Sequence, residues 1–459
     1  MRIEFIYPTR NRLERGSGAG SSKKRKALFP PLNLCHLAGL TPPDVEVSIT
    51  DENNAAIDFH KPVDLVAITS MSCTAPRMYA IADAFRQRGV PVVVGGSHVS
   101  VLPDEAAEHA DAVVIGEADE MWGHVVEDAR LGSLQRVYKS TVLPSLQNLP
   151  IPRRDILKRD GYYFPNTVQT SRGCPYSCSF CSVPLYSGNR YRFRPIDDVV
   201  KEISLLEGTN IIGFTDDNIM GDRQRAKELF TALKPLKILW GGQIDMAAAE
   251  DDELLHLAHE SGCRGVFVGI ESISRQSVLE VHKGFNHPER YLQTIRRIHR
   301  HGIRVLGSFV FGFDHDDETV FDRTVDFAIK AKLELAQFSI LTPLPGTPLY
   351  HKLEAEGRLL TKDWWRYSLG EVVFEPAKMS PEALKQGQER VWKRFYTVRS
   401  IFKRTLRLGG WFPATFVANT VFGKINLASV DRKLEFVRRC WGVFDRKVKR
   451  KEPKAASQE

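Results

Sequence analysis

Three cysteines, Cys174, Cys178 and Cys181, fall at C-x3-C-x2-C spacing within T-S-R-G-C-P-Y-S-C-S-F-C, residues 170–181. Three thiolates on one short loop can each hold one iron of a [4Fe–4S] cube, leaving the fourth iron without a protein ligand and open to a substrate or cofactor. The competing chemistry is a zinc knuckle on Cys178 and Cys181. Structural zinc asks for four ligands, usually in two pairs, and Cys35, Cys73, Cys263 and Cys440 stand singly. Seven cysteines with no secretory segment argue against a disulfide framework and for a reducing, cytoplasmic setting.

A loop of this kind needs a scaffold, and 459 residues predict more than one domain. Over residues 1–145, apolar runs at Ile3–Tyr7, Val45–Ile49, Leu65–Thr69, Val90–Val94 and Ala112–Ile115 alternate with helical stretches such as Pro76–Arg88 and Asp119–Ala129. That alternation predicts an α/β, Rossmann-like (flavodoxin-like) domain whose parallel sheet is covered on both faces. Ligands of such folds lie beyond the carboxyl ends of the strands. Ser70, Ser72, Gly95, Gly96, His98, Gly116 and Glu117 stand there, and the small residues among them let a bulky cofactor approach the backbone. The proline-rich S-T-V-L-P-S-L-Q-N-L-P-I-P-R-R-D at 140–155 marks a connection, and the linker is placed at 146–165.

Residues 166–350 alternate strand and helix again. Candidate strands are Val168–Ser171, Ile211–Thr215, Ile238–Gly242, Gly265–Ile270, Arg304–Phe311 and Ala336–Leu341. Six βα units with the cysteine loop after the first strand suggest a partial barrel, and chemistry in barrels sits at the carboxyl ends of the strands. Asp216, Asp217 and Asn218 follow the second strand, Gln243 the third and Glu271 the fourth; Leu344 lies in T-P-L-P-G-T-P after the sixth. His259 and Cys263 lie at the opposite end, entering the fourth strand, and read as structural.

The cysteine spacing resembles the signature of the radical S-adenosylmethionine (SAM) superfamily, with Phe180 at the aromatic position before the last cysteine. V-V-V-G-G-S-H, L-P-D-E-A and A-D-A-V-V-I-G-E, within residues 45–125, resemble the cobalamin-binding domain found upstream of one large class of these enzymes. The resemblance implies a partial (β/α)6 TIM-type barrel. It also implies SAM chelated to the open iron, contact of Asp216, Asp217, Asn218, Gln243, Glu271 and Leu344 with SAM, and an external electron donor such as flavodoxin or ferredoxin. Cobalamin is expected without histidine ligation: Asp58-Phe59-His60-Lys61-Pro62-Val63 only approximates D-x-H-x-x-G, lacks its glycine and precedes a strand.

Residues 351–459 are expected to form a mostly helical, basic extension. Positions 391–459 hold 17 Lys and Arg against 5 Asp and Glu, leaving the first 390 residues at −4 of the total +8. The basicity belongs to the tail, and a nucleic-acid partner loses its support. Leu434, Val437, Trp441, Phe444 and Val448 make an apolar stripe beside Arg438, Arg439, Arg446, Lys447 and Arg450, which can lie on an anionic membrane or pack on the barrel. Trp364, Trp365 and Tyr367 either line an apolar substrate cavity or pack a domain interface. The basic Gly/Ser-rich loop at 10–26 reads as a solvated insertion or as a lid toward a phosphate.

The resulting expectation is a radical SAM enzyme, a cobalamin-dependent C-methyltransferase of a small-molecule or lipid-like substrate, with no catalytic residue beyond the cluster ligands. The alternatives are an oxidative cyclase or rearrangement enzyme on the same domain pairing, and a non-catalytic iron–sulfur sensor or nucleic-acid-binding protein.

Overall fold

The computed structural model describes residues 1–10, 27–406, 415, 416, 418 and 419. Strands β1 (Arg2–Tyr7), β2 (Glu46–Asp51), β3 (Leu65–Thr69), β4 (Val92–Gly95), β5 (Ala112–Ile115) and β6 (Val137–Lys139) form one sheet in the order β2-β1-β3-β4-β5-β6. Every pairing is parallel. Side chains alternate across a strand, so Ile6, Val66, Ile68, Val92 and Val94 pack on the helix Ala75–Arg86. Ile3, Phe5, Ala67, Val93 and Val114 face the other way, against the helices Leu32–Leu40 and Trp122–Arg130. Two apolar faces account for the unbroken apolar run of β3. Beyond the five expected strands there is β6, three residues long and too brief to leave a periodic signal. The strand order reverses between β1 and β3, which puts the ligand crevice at the ends of those strands.

The second unit contains β7 (Thr167–Val168), β8 (Ser171–Arg172), β9 (Arg192–Phe193), β10 (Ile211–Phe214), β11 (Leu239–Ile244), β12 (Cys263–Glu271), β13 (Arg304–Phe311) and β14 (Leu335–Ile340). Six of these make a parallel sheet ordered β7-β10-β11-β12-β13-β14, as expected of a partial barrel, while β8 and β9 pair antiparallel outside it. The expected first strand Val168–Ser171 is therefore two elements. The chain leaves the barrel after Val168 because Thr170 and Ser171 are drawn to Asp216, and the next ladder is made with β9. Helices Ile196–Ser204, Arg223–Leu233, Asp252–Glu260, Tyr291–Arg300 and Thr319–Lys330 cover the outside. Cys263 is fully buried where β12 begins, in agreement with a structural role, and His259 stands nearby against Arg264.

An open barrel leaves β14 as an edge, and an uncovered edge invites strand pairing with other chains. The helix Pro381–Phe395 covers it: Gln388 Nε2 and Trp392 Nε1 both donate to the Phe338 carbonyl, at 2.9 and 2.8 Å. Arg404, fully buried, donates to the carbonyls of Leu333 and Glu334 at the start of the same strand. Of the two readings of the aromatic segment, interface packing describes Trp364 and Tyr367, which are buried with Tyr350 and Val373 against Leu102 of the first domain. The stripe from Leu434 to Val448 and the basic loop from 11 to 26 lie outside the described residues. No helix among the described residues is long and apolar enough to cross a membrane.

Candidate active site

The cysteine loop is pinned at its start, middle and end. Asp216, fully buried at the end of β10, accepts from the Thr170 amide (3.1 Å), Thr170 Oγ1 (2.7 Å) and Ser171 Oγ (2.6 Å). Gly173 takes a left-handed φ of +85°, and a side chain there would come within 2.3 Å of the Arg190 carbonyl oxygen and 2.8 Å of that of Ser187. Only glycine fits. Further on, Ser179 donates its amide to Val281 and accepts from the Leu349 amide. Tyr176 stacks on Phe285 with ring centroids 3.8 Å apart, and its hydroxyl donates to Asp245.

Held this way, the three thiols are half-buried and near enough to act on one another electrostatically. Burial raises all three above the ordinary thiol value, Cys181 to about 12, and their negative neighbours add to it. Thiolates in such a setting need cations beside them, which cluster iron supplies. Among the described residues no three His, Cys, Asp or Glu side chains converge on one ion position; a cube, with each thiolate on its own iron, does not require it. The donor set fits the cluster.

Around this loop stand the barrel-end groups. Asp217, in contrast to Asp216, is exposed to solvent, and desolvation together with the adjacent Asp216 pushes its carboxyl up to about 6. Glu271 is buried at the tip of β12 with φ +60° at a register shift against β13, and accepts from Lys283 Nζ at 2.6 Å. A left-handed glutamate costs roughly 1–2 kcal/mol, and strain of this kind persists chiefly at functional sites. Asn218 donates to Asp245 at 2.8 Å while its own Oδ1 is buried without a partner among the described residues. Gln243 reaches the Asp216 carbonyl at 3.5 Å. Phe180 packs half-buried on the barrel core. Leu344 heads the turn closed by Thr347, whose hydroxyl donates to the Leu344 carbonyl. Lys283 had no sequence signal, because an isolated lysine twelve residues beyond Glu271 reads as solvated surface.

Asp216 departs from expectation. Its carboxylate is enclosed by Thr170 and Ser171, so it anchors the loop and does not face a cofactor. We expect Asp216→Ala to lower unfolding stability by on the order of 3 kcal/mol, since each stranded buried donor costs about 1–3 kcal/mol. The same change should increase the iron lost on dialysis. Unchanged melting and iron retention would show the anchor to be dispensable.

At the carboxyl edge of the first sheet, directly after β3, Ser70 Oγ is buried with no hydrogen-bond partner among the described residues. Gly95 and Gly96 follow β4, and Gly96 (φ +103°) lies so close to Ser70 that a side chain would meet its carbonyl oxygen at 2.6 Å. Beside Gly116 (φ +83°) the space is open. An unsatisfied hydroxyl at a strand end, with open space beside the glycine that follows β5, fits a large polar-edged cofactor. Three expected contacts are engaged elsewhere. His98 is fully enclosed, with Ser72 Oγ at 3.1 Å from Nδ1, Tyr79 Oη at 2.9 Å from Nε2, and Trp364 edge-on at 5.4 Å. Burial pushes it below the ordinary imidazole value. Ser72 and His98 thus join the first domain to the C-terminal segment. Glu117 is bound by Arg172 and Arg192 of the second domain. His60 is exposed ahead of β3, at the sheet end away from the crevice.

A three-cysteine loop at the mouth of a partial barrel, adjoining a doubly wound domain, is the arrangement that the resemblance to radical SAM enzymes with a cobalamin-binding domain leads one to expect. Family models agree: the radical SAM superfamily matches residues 168–328, the B12 binding domain 24–126, and a domain of unknown function (DUF4070) 347–413. The bacteriochlorophyllide d C-12(1)-methyltransferase of Chlorobaculum tepidum is 32% identical over 392 residues, spanning 82% of this chain and 85% of the relative. The C-8(2)-methyltransferase of the same organism is 31% identical, spanning 83% and 88%. Among solved structures, the radical SAM methyltransferase TsrM from Kitasatospora setae, with cobalamin and [4Fe–4S] cluster bound, superposes with TM-score 0.68 at 17% identity over 97% of this chain and 99% of that one. The chain belongs to the cobalamin-dependent radical SAM methyltransferase family. Its cofactors are a [4Fe–4S] cluster, SAM and cobalamin.

Proposed function

We propose that the protein methylates an unactivated carbon of an apolar small molecule of the size of a tetrapyrrole or polycyclic lipid. The chemistry follows from the family; the substrate class is our reading. Similar proteins act on bacteriochlorophyllides, and a further relative, 28% identical over 73% of this chain, is a hopanoid C-2 methylase of Rhodopseudomonas palustris. When bound, the reduced cluster supplies the electron that cleaves SAM to a 5′-deoxyadenosyl radical, and cobalamin supplies the methyl group.

The chain's part is binding, placement and exclusion of water. Cys174, Cys178 and Cys181 would hold the cluster. Asp217 and Glu271 would accept from the amino and hydroxyl groups of SAM, with Asn218 Oδ1 and Gln243 completing its polar surround. Ser70, Gly95, Gly96 and Gly116 would line the cobalamin edge. The observation that supports this reading is direct contact between the elements that would hold the two cofactors: Arg172, beside the cysteine loop, is bonded to Glu117 in the turn after β5. An external electron donor and peripheral membrane attachment belong to the same proposal.

The test is anaerobic reconstitution with iron, sulfide and cobalamin, then incubation with SAM, reductant and a panel of tetrapyrroles and polycyclic lipids. S-adenosylhomocysteine and 5′-deoxyadenosine in comparable amounts, with a +14 Da product, are expected. Deoxyadenosine alone would favour oxidative cyclisation instead, the reaction class named for a 24% identical relative, the anaerobic magnesium-protoporphyrin IX monomethyl ester cyclase of Cereibacter sphaeroides.

A further inference from the structure

The β8–β9 ladder sets Arg172 directly opposite Arg192. Like charges directly opposed destabilise a strand pair, and strands of two residues each have little else to hold them together. Both guanidinium side chains are nonetheless largely buried, at 12% and 9% exposure. Their carboxylate partners come from the other domain, although Arg172 also donates to Gln169 and Arg192 to the Ser187 carbonyl within their own. Glu117 Oε2 accepts from Arg172 Nη1 at 2.7 Å and from Arg192 Nη1 at 3.0 Å, and its second oxygen accepts from Arg192 Nη2. Asp119 accepts from Arg172 at 2.7 Å and pairs with His36 Nε2 at 2.7 Å. Both carboxylates stand in the turn after β5, at the cofactor edge of the first sheet. Only Gly173, wedged against the carbonyls of Ser187, Gly188 and Arg190, separates Arg172 from the first cluster ligand.

We propose that Glu117 is a positioning residue that sets where the cluster loop sits relative to the cobalamin site, acting through the opposed arginine pair. The carboxylate neutralises a repulsion that would otherwise open the hairpin framing the loop. The spacing between the two cofactors thereby depends on a side chain of the cobalamin domain and not on the linker alone. This rests on the cofactor placement given under Proposed function.

The test uses the full chain, reconstituted anaerobically with cluster and cobalamin and reduced so that cob(II)alamin and the reduced cluster are both paramagnetic. Their separation is read from magnetic coupling, with no substrate needed. The parent protein should give one narrow distance distribution. Glu117→Gln should widen it roughly two-fold, as expected for a site whose supporting shell is loosened, with iron and corrinoid contents unchanged. Adding Arg192→Gln should narrow it again, because the remaining repulsion is removed. An unchanged distribution in the single variant, or undiminished widening in the double variant, overturns the proposal. Should Glu117→Gln fail to fold, Arg192→Gln alone keeps the Arg172–Glu117 pair and should remain as narrow as the parent; widening there overturns it equally. A parent lacking either signal would count against the cofactor placement and not against the clamp.

Discussion

Replacing Cys178 by alanine is expected to bring SAM cleavage to background and to lower the iron content from about four per chain to two or fewer, since two thiolates cannot hold a site-differentiated cube. The thiol is half-buried on a loop whose fixed points are Asp216, Gly173, Ser179 and Tyr176. None of those is lost, so thermal unfolding of the apoprotein should move by no more than about 1 kcal/mol, and corrinoid binding should persist. Cys263→Ala supplies the contrast. That side chain is fully buried at the start of β12, away from the barrel mouth. Its loss should lower stability while leaving iron content and 5′-deoxyadenosine formation unchanged. A Cys178→Ala protein retaining four irons and cleaving SAM would remove the basis for placing the cluster on this loop.

Glu271→Gln is expected to raise the KM for SAM about 10- to 100-fold, corresponding to loss of a charge-assisted hydrogen bond of roughly 1.5–3 kcal/mol. Glutamine preserves the shape and removes the charge. Cluster content should be unaffected, because no sulfur ligand is touched. The same change leaves Lys283 buried without its counter-ion, and breaking a buried pair costs about 3–5 kcal/mol. A lowered melting temperature should therefore accompany the weaker SAM binding. Saturating SAM should restore part of that stability if the two effects share a site. An unchanged KM, measured on protein with full iron content, would assign Glu271 to the Lys283 pair alone.

The sequence by itself determined the chemistry-bearing loop and the two βα alternations. Cysteine spacing is local, and strand-by-strand apolar periodicity is dictated by which faces each strand must bury. Six barrel strands, five of the six strands in the first sheet, and the residues that end them could be read in that way. What side chains at those ends do could not. Asp216 and Asp217 are adjacent and chemically identical, yet one is sealed against Thr170 and Ser171 while the other is exposed to solvent. Glu117 and His98 stand at strand ends like their glycine neighbours, but Glu117 faces two arginines at least 55 positions along the chain, and His98 meets Trp364. Lys283 and Glu271 find each other only because β12 and the following segment fold back at the barrel mouth. Periodicity reports which face of an element is buried. Which charged group meets which, and whether a carboxylate anchors a loop or awaits a cofactor, depends on partners distant in sequence that only the packed domains bring within hydrogen-bonding distance.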